Sequence, residues 1–375
     1  MKSEGDRYWS RRIRDLKPYI PGEQPKGERL IKLNTNENPY PPSPGVSEAV
    51  ETLLHAHEAA GAALRLYPDP DCTELREAIA ARYGVKPEEV FCGNGSDEVL
   101  AFGFAAFFES NESPLLFPDI TYSFYPVYAD LWNIQYKTIP LNENFEICTE
   151  DYLIPSGGVV FPNPNAPTGI AIPRTEILRL AEYLKERNRV LMVDEAYTAF
   201  GRASGTENGA ESLASYSVEQ PNLLTVHTFS KSASLAGLRL GFAIGNGELV
   251  EALCRIRDSF NSYTVDRLAQ AAGKAAVLDA SYYEAINRRL VGTRGRVSVS
   301  LKDLGFQALP SSANFVFARH PRFTGKEIFG RLREKGILVR HWDRDRIRDF
   351  LRISIGTDEE MDVFISACRE IAAAK

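Results

Sequence analysis

The chain has 375 residues, of which 44% are hydrophobic and 25% charged, with a formal net charge of -6. That is enough apolar content for one large domain with a smaller companion and too much for disorder, and a net negative chain has no overall basic field to attract nucleic acid. Five widely separated cysteines with no CxxC pair argue against a disulfide framework and a zinc site, and the charged start MKSEGDRYWSRRIRDLKPY lacks the apolar stretch of an export signal, so the sequence predicts an unanchored protein of a reducing cytoplasm.

Residues 1–46 open with a short charged helix candidate. They continue through Pro18-Tyr-Ile-Pro-Gly22 and Asn34-Thr-Asn-Glu-Asn-Pro-Tyr-Pro-Pro-Ser-Pro44, too rich in proline for a helix. This predicts an extended arm with exposed Tyr19 and Tyr40, ordered by lying across its own small domain or a second subunit. Helical patterning returns from Val46 to about residue 60, and Arg65-Leu-Tyr-Pro-Asp-Pro70 breaks it, holding Tyr67 in a rigid loop.

A helix is expected from Thr73 to about Tyr83. Val90-Phe-Cys-Gly-Asn-Gly-Ser-Asp-Glu98 then passes from a strand through two glycines into a helix beginning near Ser96. Glycines let backbone amides approach an anion, Ser96 is the expected cap, and the helix N-terminus adds partial positive charge. The dinucleotide fingerprint is not met, because Glu98 stands where GxGxxG needs its third glycine. After strand Leu115 to Phe117, Tyr122 offers a ring able to stack on a flat cofactor, although an aromatic at such a place is more commonly core.

Strand Gly158 to Phe161 leads into Asn163-Pro-Asn-Ala-Pro-Thr-Gly169, where Asn165 can donate to a phenolate oxygen or serve its own turn. A helix from Thr175 to about Arg187 feeds strand Val190 to Val193, which delivers Asp194 and, three residues on, Tyr197. A carboxylate at the end of a buried strand needs a cation, and a protonated pyridine nitrogen is one. The same Val-Asp-Glu-Ala run is similar to the acidic box of a P-loop ATPase, but no GxxxxGK[ST] accompanies it.

The decisive stretch is Thr228-Phe-Ser-Lys-Ser-Ala-Ser-Leu-Ala-Gly-Leu-Arg239. The apolar run Leu223, Leu224, Val226 reads as a buried strand. It sets Lys231 at the carboxyl end of that strand, flanked by the hydroxyls of Thr228 and Ser230, where open α/β sheets bind ligands. Arg239 can fold back to pair with a phosphate, and as a nearby cation it is expected to lower the pKa of Lys231. Taken alone, a lysine and arginine at this spacing are more commonly a solvated loop residue and a surface ion-pair former; the company they keep makes Lys231 a candidate Schiff-base lysine. Strands alternating with helices from about residue 73 to 245 predict a mostly parallel sheet covered on both faces. Helical stretches 248–260 and 264–290 then lead to a second domain with strands Ala313 to Ala318, Ile337 to Arg340 and Phe350 to Ser354, which collects Asn314, Arg340 and Arg352.

Together, NPNAPTG, VDEAY and TFSKSASLAGLRLGFAIG resemble the fold-type I, class I/II aminotransferases that use pyridoxal 5'-phosphate, and the resemblance covers nearly the whole chain. Within that group LKPYIPG, LNTNENPYPPSP, RLYPDP, GNGSDE, PSSANFVFARH and LRISIGTDEEM are similar to the histidinol-phosphate aminotransferases of histidine biosynthesis. The resemblance implies an α/β large domain (residues 47–258) with a mostly parallel central sheet and helices on both faces. It adds a smaller α+β domain (259–375), and an extended arm (1–46) that belongs to the small domain.

It further implies that Lys231 binds the cofactor and moves the proton, Asp194 pairs with the pyridine nitrogen, and Tyr197 and Asn165 with the ring oxygen, while Tyr122 stacks on the ring. Ser96, Asp97, Thr228, Ser230 and Arg239 would hold the cofactor phosphate, with Tyr67 reaching it from the partner in a homodimer. Tyr19, Arg340 and Arg352 would grip the substrate phosphate. One departure stands out: many relatives carry asparagine immediately before Pro-Thr-Gly, where this chain has Ala166. The implied reaction exchanges L-histidinol phosphate and 2-oxoglutarate with imidazole-acetol phosphate and glutamate. An aromatic amino acid aminotransferase and a phosphothreonine-type decarboxylase are the neighbouring alternatives. A structural role for Arg340 would be an ion pair with the acidic residues of His341-Trp-Asp-Arg-Asp-Arg346.

Overall fold

Apolar runs that alternate with amphipathic helices assemble into a seven-stranded sheet in the computed structural model, which describes residues 8–24, 30–56, 61–110, 113–202 and 210–374. The chain enters through α1 (Arg11–Asp15) and an arm carrying β1 (Ile31–Lys32), followed by α2 (Pro44–His55) and α3 (Thr73–Tyr83). The expected continuation of α2 to residue 60 falls on 57–60, outside the described residues. Then come β2 (Val90–Gly93), α4 (Gly95–Phe107), β3 (Leu115–Pro118), α5 (Tyr125–Trp132), β4 (Tyr136–Ile139), β5 (Gly158–Pro162) and α6 (Arg174–Lys185). The large sheet is completed through β6 (Leu191–Asp194), α7 (Thr198–Arg202), α8 (Ala214–Ser217), β7 (Leu223–Thr228) and β8 (Gly241–Gly245).

The strand order is β2-β8-β7-β6-β5-β3-β4, and β8 alone runs antiparallel to its neighbours. Successive residues of a strand face opposite sides. Val159 and Phe161 of β5 accordingly pack with Ile177, Leu180 and Leu184 of α6, while Val160 packs with Val99 and Phe104 of α4 and Tyr125 of α5. A sheet buried on both faces can offer polar chemistry only at its ends. Register aligns those ends: Pro162 pairs with Asp194, Asp194 with Val226, and Thr228 with Gly241, which also pairs with Gly93.

Beyond the sheet run α9 (Gly247–Phe260), α10 (Arg267–Leu278) and α11 (Ala280–Asp303), then β9 (Gln307–Ala308), β10 (Phe315–Arg319) and α12 (Gly325–Glu334). The chain finishes with β11 (Ile337–Leu338), β12 (Arg340–His341), β13 (Phe350–Ser354) and α13 (Asp358–Ala373). Strands β12-β13-β10-β9 form an antiparallel sheet, whose core is shared by Leu290, Val297 and Leu301 of α11, Ile328 and Leu332 of α12 and Phe364 of α13. The arm is tied down by β1, which pairs in parallel with β11.

Four expectations need correction. The helical stretch 264–290 is two helices, broken at Asp279, whose amide closes α10 on Ala275 and whose carboxylate accepts from Ser43 at the start of α2. The strand expected over 337–340 is two short strands in different sheets, β11 with the arm and β12 with β13. Asn94, not Ser96, holds the N-cap position of α4, so Ser96 lies inside the first turn. Tyr19 and Tyr40 are half-buried rather than exposed, because Tyr19 stacks on Phe124 at 4.2 Å and Arg289 covers the Tyr40 ring at 4.9 Å.

Candidate active site

At the carboxyl ends of β6 and β7 lies a cavity of about 450 Å³, bounded by Ser96, Asp97, Tyr122, Asp194, Tyr197 and Lys231 among others. One end is built to take an anion. Past Lys231 the chain makes a 3-10 turn, Ala236–Leu238, and Arg239 adopts a left-handed conformation (φ 50°) that sends its guanidinium back toward the strand end. There Nη1 donates to Ser230 Oγ at 3.3 Å and Nη2 to Asp97 Oδ2 at 2.9 Å, and the Ser230 amide donates to Thr228 Oγ1. Two glycines make the approach possible. A Cβ on Gly95 would sit 2.6 Å from Arg239 Nη2, and one on Gly241 would collide with the Ser96 amide nitrogen. Arginine, hydroxyls and the positive end of the thirteen-residue α4 therefore converge on one spot.

The other end is buried and acidic. Asp194 is 5% exposed, and loss of water raises its pKa to about 7 against the pull of the Ala196 amide, which donates to Oδ1 at 3.0 Å. Such a carboxylate has strong cause to accept a cation or a proton. Tyr122 Oη donates to Asp97 Oδ1 at 2.7 Å, which fixes its ring along the cavity wall. Tyr197 is buried edge-on against Phe315 at 5.2 Å.

Lys231 stands between the two ends, its Nζ donating to Thr35 O at 2.9 Å. Its pKa is brought down to about 8, first by burial and then by Arg352; Arg239 is a smaller influence. The lowering expected from Arg239 is therefore present, but burial and Arg352 outweigh it. The arginine nearer in sequence is held by Asp97, whereas Arg352 comes from the second sheet.

Arg340 and Arg352 face each other across the β12–β13 pair, and both line the cavity. Arg352 Nη2 donates to Asn34 O at 2.9 Å and its Nε is buried with no partner, while Arg340 Nη2 donates to Ile20 O at 3.1 Å. Both guanidinium groups lie over Trp342, at 5.5 and 5.3 Å. Neither forms an ion pair among the described residues, so the ion pair considered for Arg340 is absent; the nearby Asp345 is taken by Arg348 instead. Two arginines with no carboxylate paired to either, and Tyr19, thus line one cavity.

Two expected residues are not brought into this cavity. Asn165 is 1% exposed, and its Nδ2 donates to Ile120 O and Thr168 Oγ1 while Oδ1 accepts from Thr121, so its amide holds the turn; the cavity wall there is Ala166. Tyr67 is 76% exposed and stacks on Tyr263 at 4.5 Å, away from its own chain's cavity. Sequence reasoning also missed residues. Segment 34–38 of the arm runs along the cavity, and besides accepting from Lys231 and Arg352 it donates through Asn36 Nδ2 to Tyr197 Oη at 2.9 Å and through Asn38 Nδ2 to Lys231 O at 3.1 Å. The signal was the asparagine-rich LNTNENP run, which carried no assigned role.

Residues 28–367 match the family model of the aminotransferases of class I and II. The chain belongs to that family. It is 52% identical to histidinol-phosphate aminotransferase 1 of Methylococcus capsulatus over 98% of each chain, and 50% identical to the histidinol-phosphate aminotransferase of Chromohalobacter salexigens over 97% of this chain and 99% of that one. Among solved structures, that of a histidinol-phosphate aminotransferase from Sinorhizobium meliloti in complex with pyridoxal-5'-phosphate superposes with a TM-score of 0.85, at 24% identity and 98% coverage of both chains, a likeness of fold. Class I and II aminotransferases use pyridoxal phosphate. The residues present fit that group: a glycine-cleared anion cradle, a lysine amine, and a buried carboxylate lacking a cation share one cavity.

Proposed function

We propose that this aminotransferase exchanges amino groups between L-histidinol phosphate and 2-oxoglutarate, giving imidazole-acetol phosphate and L-glutamate, in histidine biosynthesis. The observation that carries the substrate is the pair Arg340 and Arg352, two guanidinium groups without carboxylate partners among the described residues that line the cavity with Tyr19, which suits a dianionic phosphate. The relatives that match at about half identity over nearly the whole chain are named for the same substrate.

When bound, pyridoxal phosphate supplies an electron sink that makes the Cα proton of an amino substrate removable. Asp194 would serve the ring nitrogen, Tyr197 the ring oxygen and Tyr122 a face of the ring. The first turn of α4 at Ser96 and Asp97, the hydroxyls of Thr228 and Ser230, and Arg239 would hold the phosphate. Lys231 Nζ, neutral in part because burial holds its pKa near 8, would be the amine that holds the cofactor and the base that takes and returns a proton at the substrate Cα. Tyr67 serves the second subunit of a homodimer. Its exposure supports this, as does the company of Leu64, Leu66, Phe260 and Tyr263, all exposed. A cytoplasmic setting accords with five cysteines that are all unpaired.

Competition between histidinol phosphate, phenylalanine and tyrosine tests the substrate. The expected kcat/KM favours histidinol phosphate by at least about 100-fold, because a site built for a charged group is left unpaired by an analogue without it. Equal or faster turnover of phenylalanine would overturn the assignment.

A further inference from the structure

On the reading above, the ring oxygen depends on Tyr197, because Ala166 presents only a methyl group and the Asn165 amide hydrogens are committed to the turn. Where Tyr197 sends its proton therefore decides whether the cavity has a donor there. Burial raises the pKa of this phenol, so the proton is present.

Donor and acceptor bookkeeping around Asn36 fixes its direction. The Asn36 backbone N–H donates to Ser354 Oγ at 2.8 Å, and the buried Ser354 hydroxyl proton has Asn36 Oδ1, also at 2.8 Å, as its one acceptor among the described residues; turning the amide over would leave that proton without one. With Oδ1 so defined, the atom facing Tyr197 must be Nδ2, and it donates to Oη at 2.9 Å. A hydroxyl that accepts from an amide has its own proton left to give. No acceptor for it is present among the described residues, and Tyr197 lines the cavity.

The arrangement is heavily determined. Asn36 is 1% exposed, its carbonyl accepts from Asn314 Nδ2 at 2.9 Å, and its left-handed backbone (φ 58°) is one that asparagine and aspartate tolerate.

We propose that Asn36 is a positioning residue: by donating to Tyr197 it turns the Tyr197 proton into the cavity, and so provides the ring-oxygen donor that position 166 does not. The inference rests on the pyridoxal phosphate reading. Asn36 does not need to touch cofactor or substrate, and the link runs from the small-domain strand β13 through the arm to the large domain.

The test reads the bound cofactor rather than turnover. Pyridoxal phosphate attached to a lysine absorbs visible light, and its band changes when the proton shared between the imine nitrogen and the ring oxygen leaves. A donor at the ring oxygen stabilises the negative charge exposed by that loss, so removing the donor raises the midpoint of the titration.

Asn36→Asp gives Tyr197 an acceptor and draws its proton out of the cavity. The expected result is an upward shift of about one pH unit, the scale of a charge-assisted hydrogen bond. Tyr197→Phe should shift the midpoint in the same direction. The added charge of the aspartate acts through space as well, so the deciding comparison is Asn36→Asp in the Tyr197→Phe background. There the substitution should add little if it acts through the phenol proton. Ser354→Ala, which frees the Asn36 amide to turn over, should give a smaller upward shift that also disappears in the Tyr197→Phe background. An unmoved midpoint in Asn36→Asp and Ser354→Ala, or a shift that persists undiminished without the phenol, would overturn the proposal. A wild-type protein with no visible band would instead overturn the cofactor reading beneath it.

Discussion

A lysine amine in water is protonated at neutral pH and cannot attack a carbonyl; the cavity changes that for Lys231. Loss of water is the main cause, Arg352 adds repulsion, and Glu37 and Asp97 oppose both, leaving the pKa at about 8. Since the neutral amine is the nucleophile, capture of pyridoxal phosphate by protein stripped of cofactor should accelerate with rising pH and level off above about 8. Stopped-flow absorbance across the pH range checks this. A midpoint at the ordinary lysine value would mean the amine is solvated. Arg352→Gln removes the larger cationic influence and should move the midpoint upward, more than Arg239→Gln does. Lys231→Ala should show no capture.

Single residues act here only because elements hold them. Asp97, in the first turn of α4, accepts from Tyr122 Oη with one oxygen and from Arg239 with the other, and so joins the Tyr122 ring to the Arg239 guanidinium, the proposed ring platform and phosphate ligand. Two effects then oppose each other. Removing a negative charge from beside a phosphate site should tighten binding, whereas loosening Tyr122 and Arg239 should weaken it. The bonds are short but the ion pair is more than a third exposed on each side, which screens its charge and favours the positional effect. Asp97→Ala should therefore raise the dissociation constant for pyridoxal phosphate by about tenfold. Fluorescence titration measures it, and tighter binding would show that charge dominates.

The same scale explains what could be read from the sequence. The ends of β6 and β7 were legible because buried apolar runs stop at Asp194 and Thr228, and the glycine-bounded turn at Gly93 and Gly95 because the chemistry of an anion cradle is written in residue types. The arm was not. Thr35 and Asn34 serve through backbone carbonyls, which every residue has, so no side chain announced them. The break at Asp279 and the division at Val339 are imposed by partners far away in sequence, Ser43 in one case and the arm strand in the other. The place of Asn165 in its own turn, with Ala166 on the cavity wall, depends on which of two neighbours the backbone points inward.

At the scale of the molecule, the arm, the large sheet and the small sheet meet at one cavity. We propose that the large domain extends into α11, because Ala269, Ala272 and Ala276 of α10 and Tyr283 of α11 share a core with Leu75 and Ile79 of α3, while Leu290 and Val297 pack with the small sheet. On the proposed reading, Tyr67 is the cofactor ligand that each chain would take from its partner. Tyr67 lies exposed beside Leu64, Leu66 and Phe260, as expected of a residue whose own cavity is not its destination.

The proposed homodimer can be tested by mixing two damaged chains. Lys231→Ala cannot attach the cofactor, and Tyr67→Ala weakens the hold on its phosphate. In a mixed dimer with Tyr67 reaching across, one cavity collects both lesions and the other has neither. Refolding the two variants together should then give more activity at limiting cofactor than the mean of the separate preparations, with the recovered sites binding pyridoxal phosphate as tightly as the wild type. If Tyr67 served its own chain, every cavity in the mixture would carry one lesion and no tight site would appear. Binding stoichiometry at low cofactor concentration distinguishes the two arrangements, because intact sites arise only where a lysine from one chain meets a tyrosine from the other.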